Sequence, residues 1–119
     1  MVNKILLAIK SSPYGSGRAA EGLRVATAMI AMDLLPQILF IDDGVYCLLR
    51  NQKPESVGLT SIEERLKTLV DLVGTYAVSD SMVERKLTPD DLDSNYNVKT
   101  LSLDEVSKLI SENEVLITF

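Results

Sequence analysis

The chain has 119 residues, of which 46% are hydrophobic and 24% are charged, a balance typical of a folded globular protein. This length corresponds to one domain over residues 1–119, and no apolar run reaches the ~18 residues that cross a bilayer. The short apolar N-terminus lacks a cleavage signal, so we expect a cytoplasmic protein without membrane contact. The net charge of −5 opposes direct nucleic-acid binding, because phosphate backbones would be repelled.

Residue content also limits the chemistry. The chain has no histidine and one cysteine. It therefore lacks the commonest general base, and it excludes an internal disulfide and any cysteine-rich zinc or iron–sulfur site. A carboxylate metal site stays possible in principle, but we expect no metal and no cofactor.

Strands and helices alternate along the chain. Apolar segments at 4–9, 37–41, 76–78, 98–101 and 115–119 are predicted strands, and helical patterns occupy 18–32, a short stretch through 49, the segment after 60, 81–86 and 103–110. The order implies βαβ units, so we predict an α/β fold. Its form is a three-layer α/β/α domain with a mostly parallel five-stranded sheet.

Several helix starts carry capping signals. Ser16 is a predicted N-cap of the first long helix, and Thr60 or Ser61 opens a capping box for the next. The S-x-x-E pattern recurs at Ser81 and again at Ser102, where the hydroxyl and the carboxylate can satisfy each other's backbone N–H groups. The segment Thr88-Pro-Asp-Asp-Leu is predicted to form a turn or a single helical turn.

Ligands of parallel sheets bind beyond the carboxyl ends of the strands, where three segments of this chain fall. The first is the loop 11–17, which could cradle an anion against the next helix. Its candidate residues are Ser11, Ser12, Tyr14, Gly15, Ser16 and Gly17. It matches neither a P-loop nor the dinucleotide fingerprint, and the simpler interpretation is a tight turn with close packing.

The other two segments are Asp42-Asp43-Gly44 with the following residues, and the stretch holding Ser79 and Ser81. The aspartates could bind a metal or act as an acid/base pair. The interpretation that we favour is structural, with Asp43 capping a short helix.

Cys47 carries distinctive chemistry but has apolar neighbours. A helix dipole would lower the pKa of its thiol and the aspartates would raise it. It is either a packed side chain or a functional thiol.

The block 41–54, I-D-D-G-V-Y-C-L-L-R-N-Q-K-P, resembles a segment of the sulfur-relay family that contains DsrE, DsrF and DsrH, and most of all its DsrF/TusC branch. The Glu21-Gly22-Leu23 helix, the S-M-V-E-R-K-L stretch at 81–87 and the closing strand resemble the same family. The resemblance covers essentially the whole chain.

The resemblance implies a relay cysteine just after the third strand in DsrE-type members, or near the C-terminus in DsrH-type members. This chain has no cysteine at either place, and the position of Cys47 matches neither. The resemblance therefore implies an accessory subunit that scaffolds a persulfide-carrying partner, in tRNA 2-thiolation or in sulfur oxidation. Two alternatives stay open: a direct sulfurtransferase using Cys47, and a module that binds a small anion at the 11–17 loop.

Association is a further expectation. The first helix has apolar residues in more directions than one ~100° stripe can contain, and exposed apolar surface usually marks an interface. The resemblance implies either a homo-oligomer or a mixed oligomer with DsrE-like and DsrH-like subunits. The alternative is that neighbouring helices cover the first helix.

Overall fold

The computed structural model describes residues 4–13, 17–50 and 60–119, and of residues 60–63 only the backbone. The strands are β1 (Ile5–Ile9), β2 (Gln37–Phe40), β3 (Thr75–Val78), β4 (Lys99–Leu101) and β5 (Val115–Thr118). The α-helices are α1 (Arg18–Ala31), α2 (Thr60–Leu69), α3 (Ser79–Glu84) and α4 (Leu103–Ser111). Three 3₁₀ helices, Asp42–Leu48, Pro89–Asp91 and Ser94–Tyr96, lie in the connections.

All five strands are parallel and lie in the order β4-β3-β2-β1-β5. The chain starts at β1, moves outward through β2 and β3 to β4, and then returns to the opposite side of β1 as β5. The direction of winding therefore reverses between β1 and β5, which is the topological switch point where open α/β sheets place their ligand crevice. The predicted α/β fold is confirmed.

The two faces of the sheet bury two separate apolar clusters, because successive strand residues point to opposite sides. Leu7 and Ile9 of β1 join a large cluster that includes Leu23 of α1 and Leu66 of α2. Leu6 joins a smaller cluster on the other face, together with residues from α4. β1 is buried at every position, as its continuous apolar sequence predicts for a central strand.

Helix α1 approaches the sheet closely at Gly22. A Cβ atom there would lie 2.4 Å from Cδ1 of Ile9 and 2.9 Å from the ring of Phe119. The glycine thus lets the helix settle on side chains from β1 and from the residue that follows β5. This contact gives the glycine at the centre of the Glu-Gly-Leu sequence of α1 a packing role.

The predicted helix starts are confirmed in part. Ser102 and Glu105 form the reciprocal capping box at α4, and Thr88 and Asp91 form another at the 3₁₀ helix Pro89–Asp91. The predicted S-x-x-E start at Ser81 is wrong, because α3 begins two residues earlier, with Val78 at the N-cap. The predicted N-cap at Ser16 is wrong, because Gly17 occupies that position. Thr60 and Ser61 are the first two residues of α2, and their predicted capping side chains lie outside the described part of the chain.

The surface of α1 is covered only in part. Helix α2 packs along it, and Leu23 and Ala26 are buried, whereas Ala28 and Met32 stay exposed. Neighbouring elements therefore cover this helix at some positions and leave others exposed, and association through it stays a prediction. Among the described residues, no helix combines the length and the apolar character needed to cross a membrane.

Candidate functional site

The carboxyl ends of β1 and β2 are covered by the 3₁₀ helix Asp42–Leu48, which follows β2 directly. The backbone N–H of Ile41 donates to the carbonyl of Ile9 at 3.0 Å. A Cβ atom at Gly44 would lie only 1.8 Å from the same Ile9 oxygen. The segment is therefore seated on the end of β1, and the chain itself fills part of the place where a ligand of a parallel sheet would bind.

Asp42 turns the chain out of β2 with φ at 52°, the left-handed region that aspartate tolerates better than most residues. Its backbone N–H donates to Oγ of Ser81 at 3.0 Å. Ser81 is only 5% exposed, and its hydroxyl connects the start of the 3₁₀ helix to α3. The structure thus brings two of the predicted edge residues together, but through the aspartate's backbone and not through its carboxylate.

Ser79, the first residue of α3, lies farther along the same edge. Its hydroxyl donates to the carbonyl of Leu101 at 3.0 Å and so ties β3 to the end of β4. Both serine hydroxyls at this edge therefore bond to backbone groups. A hydroxyl cannot form a persulfide, so neither serine replaces a relay cysteine.

The carboxylate of Asp43 pairs with Arg85, which follows α3. Nε and Nη2 of Arg85 lie 3.0 and 2.9 Å from Oδ1 of Asp43. The predicted capping role of Asp43 is wrong, because the 3₁₀ helix begins one residue earlier and has no side-chain cap. Arg85 also donates from Nη1 to the carbonyl of Ser81 at 3.1 Å. The ion pair therefore lies on the solvent side of Ser81 and links the 3₁₀ helix to α3.

The role of Arg85 as the partner of Asp43 could not be predicted from the sequence. Arginines are ordinary on surfaces, and its distance of 42 residues from Asp43 carries no local pattern. Only the parallel sheet, which places the ends of β2 and β3 side by side, brings the two residues together.

Cys47 is fully buried within the larger apolar cluster. Its Sγ lies 3.9 Å from the carbonyl oxygen of Ser11, as a weak S–H donor would. Burial raises the pKa of the thiol from 9.0 to about 12, because a thiolate would lose its hydration in this apolar surrounding. Burial therefore outweighs the competing effects of dipole and carboxylates expected from the sequence, and the side chain is a packed, protonated thiol.

Of the proposed anion loop, Tyr14, Gly15 and Ser16 lie outside the described residues. Ser11 and Ser12 are half-buried, and Ser11 is the residue whose carbonyl faces Cys47. Gly17 occupies the N-cap position of α1 without a side-chain cap, and its carbonyl accepts the first helical bond from Glu21.

Within the described ranges, no three acidic or cysteine side chains are grouped so as to hold a metal. Two clefts, of about 290 and 240 Å³, lie away from Asp42, Asp43 and Ser81. One is lined by residues at the amino ends of the strands, including Lys4 and Gln37, and the other lies between α4 and the sheet beside Tyr76.

The sequence and the fold were compared with those of known proteins. The profile of the DsrE/DsrF-like family matches residues 3–119. The intracellular sulfur oxidation protein DsrF of Allochromatium vinosum is 30% identical, over 100% of this chain and 98% of its own length. A TusC homolog of Vibrio parahaemolyticus is 28% identical, over 99% of this chain and 100% of its own length.

Among solved structures, the ychN protein of E. coli superposes with a TM-score of 0.78 at 24% identity, over the full length of both chains. That similarity concerns the fold. The family match over residues 3–119 and the relative at 30% identity show that the chain belongs to the DsrE/DsrF-like family.

Proposed function

We propose that this chain is an accessory subunit of a sulfur-relay complex, one that supports a persulfide-carrying partner and does not carry sulfur itself. The observation that carries the proposal is the state of Cys47, the single cysteine of the chain. Burial raises the pKa of its thiol to about 12, so the thiol is protonated at neutral pH, whereas the thiolate is the form that attacks a persulfide.

The similarity to DsrF and to TusC proteins supports this role, because it extends over the whole chain in relatives whose names refer to sulfur oxidation or to the Tus group. The segment after β3, where the family resemblance implies a relay cysteine, holds Ser79 and Ser81 instead. We propose a cytoplasmic location and a mixed assembly with DsrE-like and DsrH-like subunits, in which a cysteine of a companion takes up the sulfur.

The alternative, a sulfurtransferase that uses Cys47, requires the thiol to leave the apolar cluster before each transfer. No described contact at the carboxyl edge assists such a movement, since Gly44 and Asp42 both hold the segment against neighbouring strands. The anion-binding alternative rests on the 11–17 loop, whose central residues lie outside the described part of the chain.

The test is sulfur loading from a cysteine desulfurase, with the chain alone and in complex with its companions, followed by intact-mass measurement of every subunit. We expect no stable sulfur gain on this chain, and we expect a Cys47→Ala variant to sustain transfer by the complex at the wild-type rate. Omitting the chain should lower that rate. A gain of one sulfur on the wild-type chain that is lost in Cys47→Ala would establish the sulfurtransferase alternative.

Alkylation of the native thiol gives a separate readout. An ordinary cysteine reacts faster as the pH rises through 8 to 9, because its thiolate fraction rises there. With a pKa of about 12, the reaction at Cys47 should stay slow across this range and accelerate only on unfolding in urea. Rapid alkylation of the folded chain at pH 8 would contradict the buried state on which the proposal rests.

A further inference from the structure

Strand β5 forms one open edge of the sheet and pairs on its inner side with β1. The N–H groups of Val115 and Phe119 donate to the carbonyls of Lys4 and Ala8, at 3.2 and 2.9 Å, and the carbonyl of Phe119 accepts from Lys10 at 2.8 Å. The odd-numbered residues of this segment therefore direct their backbone groups towards β1. By the alternation of a strand, Leu116 and Thr118 direct theirs away from it.

The outward backbone groups of Leu116 and Thr118 meet no strand among residues 4–13, 17–50 and 60–119. Proteins usually guard such an edge with a lysine, a proline, a bulge or a covering loop. The sequence of β5, Val-Leu-Ile-Thr, contains neither a charge nor a proline. The side chain of Leu116 is 46% exposed, so the edge offers apolar surface together with open hydrogen-bonding groups.

We propose that β5 is an association surface for a second copy of this chain, joined antiparallel through its own β5 about a two-fold axis at Ile117. In an antiparallel pair, residues directly opposite each other exchange either two hydrogen bonds or none, in alternation. An axis at Ile117 places Leu116 opposite Thr118 of the second copy, and Thr118 opposite Leu116. Each of these two pairs then joins residues whose groups point outward, which gives four hydrogen bonds.

Neighbouring registers satisfy fewer groups. An axis at Leu116 would place Thr118 opposite Glu114 of the second copy, but the N–H of Glu114 already donates to the carbonyl of Lys4 at 2.8 Å. That register retains only the central pair of bonds. Of these two registers, the hydrogen bonds to β1 therefore favour the one with the axis at Ile117.

The side chains agree with this pairing. Leu116 lies beside Leu6 in the ladder, and therefore on the face of the sheet that carries α4. In the proposed register, the Leu116 side chains of the two copies become diagonal neighbours, at roughly 7–8 Å between backbones, a distance across which long side chains interact. Each exposed leucine is thus covered by its own symmetry mate, as an isologous contact requires.

Charges at the ends of the strands are complementary in the same arrangement. Glu114 precedes β5, Lys10 follows β1 at the opposite end of the sheet, and both side chains are exposed. Antiparallel pairing places Glu114 of one copy about two strand spacings, or ~10 Å, from Lys10 of the other. A lysine and a glutamate side chain span this separation together. Each dimer would contain two such contacts, and no charged residue would lie opposite a like charge within β5.

Sedimentation of the purified chain across a micromolar to submillimolar concentration series tests the proposal, with Leu116→Lys as the disrupting variant. A lysine on an edge strand opposes pairing, so we expect the dissociation constant to rise at least about tenfold. Leu72→Lys is the matched control, because Leu72 is 51% exposed and lies outside β5. It should associate like the wild type. A monomeric wild type, or equal losses in both variants, would overturn the proposal.

The register has its own measurement. Hydrogen exchange of the amides at positions 116 and 118 should slow as concentration rises, while the amide of Ile117, which faces β1, should not change. Each of the single substitutions Lys10→Glu and Glu114→Lys should weaken association, because each places like charges together. The double variant, which restores opposite charges, should associate like the wild type. Association without protection at 116 and 118, or without restoration in the double variant, would refute this interface. None of these outcomes depends on the sulfur-relay role, which the loading experiment decides separately.

Discussion

The carboxyl ends of the strands and the outer edge of β5 differ in whether their backbone groups have partners within the described chain. At the carboxyl ends, the 3₁₀ helix Asp42–Leu48 sits on β1, and Ser79 and Ser81 bond to backbone groups of neighbouring segments. At β5, the outward groups of Leu116 and Thr118 meet no described strand. In this chain, its own residues cover the carboxyl ends of β1 and β2, whereas backbone groups without a described strand partner lie on the outer side of β5.

The opposite edge of the sheet strengthens this contrast. Strand β4 is only three residues long and carries the exposed Lys99. It is preceded by a tight turn that ends at Asn97 in the left-handed conformation. A short strand with a lysine is a common protection against edge-to-edge pairing. The two edges thus differ in the devices that oppose association, and among residues 4–13, 17–50 and 60–119 none of these devices is found at β5.

The largest effect is expected at Gly44, where the closure of the carboxyl end is tightest. An alanine Cβ would lie 1.8 Å from the Ile9 carbonyl oxygen, so the whole segment would have to move off β1. We expect Gly44→Ala to lower the free energy of unfolding by about 3–5 kcal/mol, at the upper end of single substitutions. Urea denaturation measures the change.

Gly17→Ala is the matched control. Nothing lies within 4 Å of its Cβ position, and its φ of −86° suits alanine, so its effect should stay within about 0.5 kcal/mol. If both variants unfolded at the same urea concentration as the wild type, the 3₁₀ helix would not be packed tightly on β1. The carboxyl ends would then not be covered as described, and the contrast with β5 would fail.

Much of the fold can be predicted from the sequence, because continuous apolar runs such as that of β1 belong to central parallel strands. Position along the chain also predicts that Asp42 and Ser81 meet at one edge, since parallel strands share their carboxyl ends. The role of Asp43 could not be obtained in this way. Its capping was inferred from local pattern, whereas its partner Arg85 is brought near only by the pairing of β2 with β3.

The start of α3 was missed for a similar reason. The S-x-x-E pattern at Ser81 is a local signal for a helix start, yet the helix begins at Ser79 and the Ser81 hydroxyl accepts from the backbone of Asp42. A long-range hydrogen bond thus uses the hydroxyl that a local rule assigns to capping. For Cys47 the sequence leaves a packed side chain and a functional thiol both open; the structure buries the side chain in the larger apolar cluster, and the sulfur-loading experiment tests whether the thiol acts.

A moderate effect is expected at Ser81, whose hydroxyl joins the 3₁₀ helix to α3. In Ser81→Ala, the N–H of Asp42 loses its acceptor in a largely buried place, which costs about 1–3 kcal/mol of unfolding free energy. Ser107→Ala, at an exposed position of α4, should change stability by less than about 0.5 kcal/mol. Equal stabilities of the two variants would show that water replaces the hydroxyl and that this part of the edge is open.

The smallest effect is expected at the ion pair that lies outside the closed edge. The side chain of Asp43 is 57% exposed and that of Arg85 is 19% exposed, so solvent screens the pair and its contribution should be about 0.2–1 kcal/mol. Because the carboxylate acts through its charge and does not cap a helix, Asp43→Asn should cost as much as Asp43→Ala. A capping aspartate would behave differently, since the amide oxygen of asparagine caps almost as well.

A double-mutant cycle of Asp43→Asn with Arg85→Gln, measured by urea denaturation, isolates the pair from the bond that Arg85 makes to the Ser81 carbonyl. The coupling energy should shrink as salt is added, because exposed charges are screened over about 10 Å at 0.1 M. Asp71→Ala, at an exposed position after α2, should show no comparable coupling to Arg85. A coupling that persists in high salt would mean that the pair is shielded from water, and the closed region would then extend to the surface beyond Ser81.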